Sequence, residues 1–127
     1  DDITKTHFSK LKLKDVNDEV YSNIDKALEI AGSVFDTEYE KQLVNYGGDT
    51  YFYPISHMKL CTDDYTEITQ GMMNKGIACC FGEGRYYIEI NRPFTGNECF
   101  GYDVMRVVAD AISDFLGQKF YAFAIPD

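Results

Sequence analysis

The chain has 127 residues, of which 45% are apolar and 15% aromatic, and it carries a formal net charge of −9. This length and composition predict one folded domain over residues 1–127 and exclude an intrinsically disordered chain. The excess of 21 acidic over 12 basic residues argues against nucleic-acid binding, because phosphates would be repelled. No apolar run approaches the roughly 18 residues that a membrane-spanning helix needs, so we expect no membrane partner.

The first predicted element is a strand over residues 3–13. Near its end, Leu11 and Leu13 alternate with lysines at neighbouring positions. A period of two is typical of a half-buried strand, and lysines along one side favour a place near a sheet edge.

The clearest predicted helix covers residues 15–35, with Asp15 as its cap, and a second short helix is expected from Asp36 onwards. Apolar residues recur at helical spacing through both segments. The pair Gly47-Gly48 is expected to end the second helix, since glycine follows many helix termini.

Residues 15–40 concentrate the negative charge, with eight acids against a single base, Lys26. At 100° per residue, most acids of the first helix fall opposite its apolar face. Like charges four residues apart, such as Asp25 and Glu29, cost a few tenths of a kcal/mol each, and a basic partner would relieve this repulsion. The candidate partner-binding residues are therefore Asp15, Asp18, Glu19, Asp25, Glu29, Asp36, Glu38 and Glu40.

Residues at about 47–75 are interpreted as an insert. Within it, the aromatic run 50–55 contains Pro54 and predicts an edge strand or a loop. A short helix is expected at 64–73.

The second half of the chain predicts a hairpin, a helix and a final strand. The β-rich runs 77–81 and 85–91 are joined by glycines, which favours a hairpin, and 94–101 is expected to be a loop. Residues 103–116 have a wide apolar helical face and end before Gly117. The run 119–125 is apolar on both faces, as a central strand would be. The prediction is an α+β fold, a mostly antiparallel sheet with two main helices on one face, in a split βαβ (ferredoxin-like) order.

Residues suited to catalysis are scarce. The two histidines, His7 and His57, have no neighbours in sequence that indicate activation. Adjacent Cys79 and Cys80 in a strand would point to opposite faces, and no zinc-ligand spacing is present. We expect the four cysteines to be buried free thiols in a cytoplasmic protein, with secretion after signal-peptide removal as the alternative.

We therefore expect a non-enzymatic acidic domain without a cofactor or metal. It would cover a basic surface of a partner protein, such as a toxin or a nucleic-acid-handling enzyme, as an inhibitor, an immunity protein or a DNA mimic. One alternative is a small-molecule-binding domain or minor enzyme, with a pocket between sheet and insert lined by Tyr53, His57, Cys79 and Arg85. Another is a structural subunit that oligomerises through the strand at 3–13.

Overall fold

A computed structural model of the chain describes residues 15–82 and 84–127. Within them the fold is α+β, with three helices and an antiparallel sheet of five strands. The predicted strand at 3–13 and His7 lie outside the described residues. The elements in chain order are α1 (Asp18–Asn45), β1 (Ile55–Thr62), α2 (Glu67–Asn74), β2 (Ala78–Cys80), β3 (Tyr86–Ile88), β4 (Phe94–Asn97), α3 (Glu98–Leu116) and β5 (Tyr121–Pro126).

Strand β1 is the centre of the sheet. Along one edge it pairs with β5, so that Cys61 lies opposite Tyr121. Along the other edge it pairs first with β4 and then with β3, and β2 adds to the outer side of β3. This arrangement does not confirm the ferredoxin-like order.

The core lies between one face of the sheet and the helices. Met58 and Leu60 of β1 point to this face and are almost fully buried. Helix α3 approaches β1 closely at Gly101, where an added Cβ would lie 2.4 Å from Cγ of Met58. Next to it, the fully buried Phe100 packs edge-on against Tyr39 of α1, which joins both long helices to the same core.

The predicted break between two helices in the first half of the chain was wrong, because α1 runs unbroken for 28 residues. No proline interrupts the segment around Asp36, and the apolar spacing continues from Phe35 to Tyr39. The cap is Asn17 rather than Asp15, and its side-chain oxygen accepts a hydrogen bond from the Glu19 amide at 2.8 Å.

Two strand assignments were also wrong. The region interpreted as an insert contains β1, the central strand of the sheet. Strand β5 pairs with β1 over Tyr121–Pro126, and a central place for the run 119–125 stays a prediction. The expected loop at 94–101 instead holds β4 and the start of α3, which Asn97 caps by accepting a hydrogen bond from the Phe100 amide.

Several predictions are confirmed. Strands β2 and β3 form the expected antiparallel hairpin. Helix α3 ends at Gly117, whose φ of 69° is the left-handed conformation that glycine adopts readily. Helix α2 overlaps the expected helix at 64–73. None of the helices in the described part of the chain is both long and apolar enough to cross a membrane.

Candidate functional site

Five of the eight candidate acids form a line along α1. Successive members are separated by seven, four, seven and four residues, which returns each side chain to an arc of about 60° on the helix. From its first to its last member the line advances by 22 residues, which is about 33 Å at 1.5 Å per residue. All five residues are exposed. We call this set the acidic stripe; it consists of Asp18, Asp25, Glu29, Asp36 and Glu40.

The other three candidate acids lie off this line. Asp15 precedes the helix and Glu19 is in its first turn, and both are exposed. Glu38 lies on another side of α1 with only 13% of its side chain exposed. It accepts a hydrogen bond from Gln42 at 3.2 Å and lies 3.8 Å from the Lys41 ammonium.

Two members of the acidic stripe have cationic partners outside α1. Lys75, just after α2, lies 2.8 Å from the Asp25 carboxylate. Arg92, in the segment between β3 and β4, donates two hydrogen bonds to Asp36, at 2.8 and 3.0 Å. The hydrogen bonds and charge of Arg92 hold the pKa of Asp36 below its usual value of about 3.8. No ion pair of Asp18, Glu29 or Glu40 is present within the described residues.

A groove of about 490 Å³ separates α1 from the sheet, and Arg92 of the second ion pair belongs to its lining. Its apolar lining comes from Leu28 of α1 and from Ile77 and Ile90 on the sheet side. Carboxylates stand on both walls, Glu29 on α1 and Glu89 opposite, and both are exposed.

Gly32 allows Arg92 to lie against α1 in the lining of the groove. A Cβ at this position would lie 3.1 Å from Nη2 of Arg92. Asn91, the residue before Arg92, has a positive φ of 62°, a conformation that asparagine tolerates better than most residues. Sequence reasoning missed this contact. The available signals were a glycine inside an otherwise continuous helix and a lone arginine after Asn91.

A second surface lies on the face of the sheet that turns away from the helices. Phe81, Tyr87 and Phe123 stack in succession, with centroid distances of 5.0 and 6.1 Å. The guanidinium carbon of Arg85 lies 4.4 Å from the Phe123 ring centroid. Its Nε donates to the Tyr121 hydroxyl at 3.2 Å. These large side chains explain why Cys61, on the outer face of β1, is fully buried.

The four residues of the alternative pocket occupy different places. Cys79 and Arg85 are near the aromatic stack, where Cys79 pairs with Tyr87. His57 is near the other end of β1, 3.1 Å from Oδ1 of Asp127. Tyr53 is in the loop before β1 and is 90% exposed. The structure does not bring these four side chains into one cleft.

Three of the four thiols are poor nucleophiles, and the fourth, Cys99, is exposed rather than buried as expected. Burial raises the pKa of Cys61 to about 12, and it also raises the pKa of Cys79 and Cys80. Their thiols therefore stay protonated at neutral pH, whereas nucleophilic attack requires the thiolate. Within residues 15–82 and 84–127, no group of three or more His, Cys, Asp or Glu side chains is placed to hold a metal ion.

Comparison of the chain with models of known protein families, with curated proteins and with solved structures finds no match.

Proposed function

We propose that this protein binds a basic partner protein through the acidic stripe and thereby covers a functional surface of that partner. The observation that carries the proposal is the alignment of five exposed carboxylates along about 33 Å of one helix. The role proposed is non-enzymatic, that of an inhibitor or immunity protein.

The charge along the stripe is only partly neutralised. Lys75 and Arg92 balance Asp25 and Asp36. Asp18, Glu29 and Glu40 have no cationic partner within the described residues. Exposed like charges on one side of a protein set up a field that attracts a basic partner and accelerates association.

The shape of the stripe favours a macromolecular partner. A convex helix surface of this length is far larger than a small-molecule site, which is concave and encloses most of its ligand. A standard protein interface covers about 800 Å² on each partner, and a patch of that area is about as wide as the stripe is long. Nucleic acid would be repelled by the same charges, so the partner is a protein with a basic surface.

A basic surface of this kind is typical of proteins that bind nucleic acid. An acidic stripe that covers it would compete with nucleic acid for the same site. This supports a nucleic-acid-handling enzyme or toxin as the class of partner. The four cysteines are free, which is compatible with the cytoplasmic compartment that we propose.

Charge reversal in pairs tests the proposal. Glu29→Lys with Glu40→Lys changes the stripe by four charge units. Asp110→Lys with Asp114→Lys makes the same change on exposed positions of α3 and is the matched control. The parent chain, the control and the stripe variant are each used to capture proteins from the native source at low salt. We expect the parent chain and the control to capture the same proteins, and the stripe variant not to capture them. Equal capture by all three proteins would contradict the proposal.

A further inference from the structure

We propose that the groove between α1 and the sheet receives an extended segment of the partner in which apolar residues alternate with lysine or arginine. This inference rests on the proposed function and specifies the partner. It concerns a concave part of the surface, whereas the acidic stripe itself is convex.

The lining of the groove specifies the apolar residues. Leu28, Ile77 and Ile90 come together from α1 and from both sides of the β2–β3 hairpin. Gly32 adds no side chain to the wall, and the guanidinium of Arg92 lies against α1 at this position. Burial of an apolar side chain against such a surface is favourable by about 25 cal/mol per Å².

The walls specify the basic residues. Glu29 and Glu89 face the groove from opposite sides, and neither has a cationic partner within the described part of the chain. Arg92, a cation of the lining, is already held by Asp36. A lysine or arginine entering the groove would therefore meet uncompensated negative charge.

The dimensions specify an extended segment. The lining on α1 extends from Leu28 to Ser33, five residues on, which corresponds to about 8 Å along the helix. An extended chain advances about 3.3 Å per residue, so the groove takes about two or three residues. A helix, about 10 Å across with its side chains, is too wide for a volume of about 490 Å³ over this length. Alternation then points the apolar side chains of an extended segment to the floor and the basic ones to the rims.

The probe for this inference is a fluorescent peptide, Lys-Leu-Lys-Leu-Lys, with blocked termini, added to the full chain and followed by anisotropy. Lys-Ser-Lys-Ser-Lys has the same charge without the apolar residues, and Glu-Leu-Glu-Leu-Glu reverses the charge. We expect at least tenfold weaker binding for both control peptides. Equal binding of the first two peptides would overturn the inference, because charge alone would then explain the affinity.

Variants of the chain locate the binding site. Ser33 is exposed and lines the groove, so Ser33→Trp fills the groove without a change of charge. Glu29→Gln with Glu89→Gln removes the charge of both walls, and circular dichroism verifies folding. We expect each variant to bind the leucine-containing peptide at least tenfold more weakly than the parent chain does. The control Asp110→Asn with Asp114→Asn removes the same charge from exposed positions of α3 and should change binding less than threefold. Unchanged binding of the peptide to Ser33→Trp would overturn the groove as the binding site, while the proposal for the acidic stripe would stand.

The test also detects occupation of the groove by the chain's own residues. Residues 10–14 have the same alternating composition as the probe. If the peptide binds only to the full-length variant Leu11→Ser with Leu13→Ser, and not to the parent chain, the partner inference is overturned in favour of the chain's own segment. Binding to both proteins with similar affinity supports a partner segment.

Discussion

Arg92 clamps the carboxylate of Asp36 with two parallel hydrogen bonds, at 2.8 and 3.0 Å, across 56 residues of sequence. Bidentate pairing of this kind fixes geometry more strictly than a single contact between lysine and a carboxylate. It attaches the C-terminal half of α1 to the segment that joins β3 and β4. Arg92 also lines the groove between α1 and the sheet.

The first prediction concerns the titration of Asp36. Its pKa in the folded protein is lowered by Arg92, so the contribution of this pair to stability is present above the unfolded-state pKa and is lost as the pH falls through the folded-state value. We expect Arg92→Gln to return the carboxyl pKa to its usual range. Carbon-detected NMR titration of the Asp36 carboxyl measures this directly. An identical titration curve in both proteins would show that the clamp does not form in solution.

The second prediction compares two helical glycines. Gly101→Ala would force a methyl group to within 2.4 Å of Met58 in the core. Overpacking costs about 1–3 kcal/mol and the gain in helix propensity returns up to about 1 kcal/mol, so we expect a net loss of about 1–2 kcal/mol in the free energy of unfolding.

The matched control is Gly32→Ala, where the methyl group meets only the flexible end of Arg92 at 3.1 Å. At this position the gain in helix propensity offsets the cost of moving the Arg92 side chain. We therefore expect the free energy of unfolding to change by less than about 0.5 kcal/mol. Urea denaturation measures both variants. A Gly101→Ala protein as stable as the Gly32→Ala protein would contradict the close approach of α3 to β1.

The third prediction concerns alkaline pH. Tyr46 donates a hydrogen bond to the Asp103 carboxylate at 2.6 Å, and this contact raises the pKa of Tyr46 to about 12. A raised pKa contributes stability that is complete below the unfolded-state pKa of about 10 and is lost as the pH rises to about 12. Tyr46→Phe should remove this part of the alkaline destabilisation.

Absorbance at 295 nm monitors tyrosine ionisation. We expect the absorbance that develops above about pH 11 to fall by the equivalent of one tyrosine in Tyr46→Phe. Tyr121→Phe is a useful comparison, because burial and hydrogen bonding to Asp63 raise the pKa of Tyr121 to about 12 as well. An unchanged high-pH absorbance in Tyr46→Phe would show that its hydroxyl does not donate to Asp103.

The sequence predicted local features better than the long-range pairing of strands. The α3 stop at Gly117 and the β2–β3 hairpin depend on glycine backbone freedom and on alternation within a few residues. The centre of the sheet was missed although Met58 and Leu60 alternate with polar residues in β1. Pro54 interrupts the aromatic run that leads into β1 and so obscures the start of this alternation. Strand β4, four residues long with a glycine, is defined by its pairing to β1 rather than by its own composition.

The candidate site was predictable only in part. Helical periodicity placed acids along α1, because charge and angular position follow from the sequence alone. It did not predict that Lys75 and Arg92 would neutralise two of them, since both cations arrive from distant parts of the chain. The groove depends on the same long-range contacts. Apolar residues such as Leu28 and Ile77 look like ordinary core residues in the sequence.

The most direct test of the central claim is the association rate constant of the purified partner, measured at increasing ionic strength. Electrostatic steering predicts fast association with the parent chain and with the Asp110→Lys, Asp114→Lys control, falling steeply as salt is added. For Glu29→Lys with Glu40→Lys we predict association at least tenfold slower at low salt and a flatter salt dependence. Equal rate constants and equal salt dependence for the stripe variant and the control would contradict a binding role for the acidic stripe.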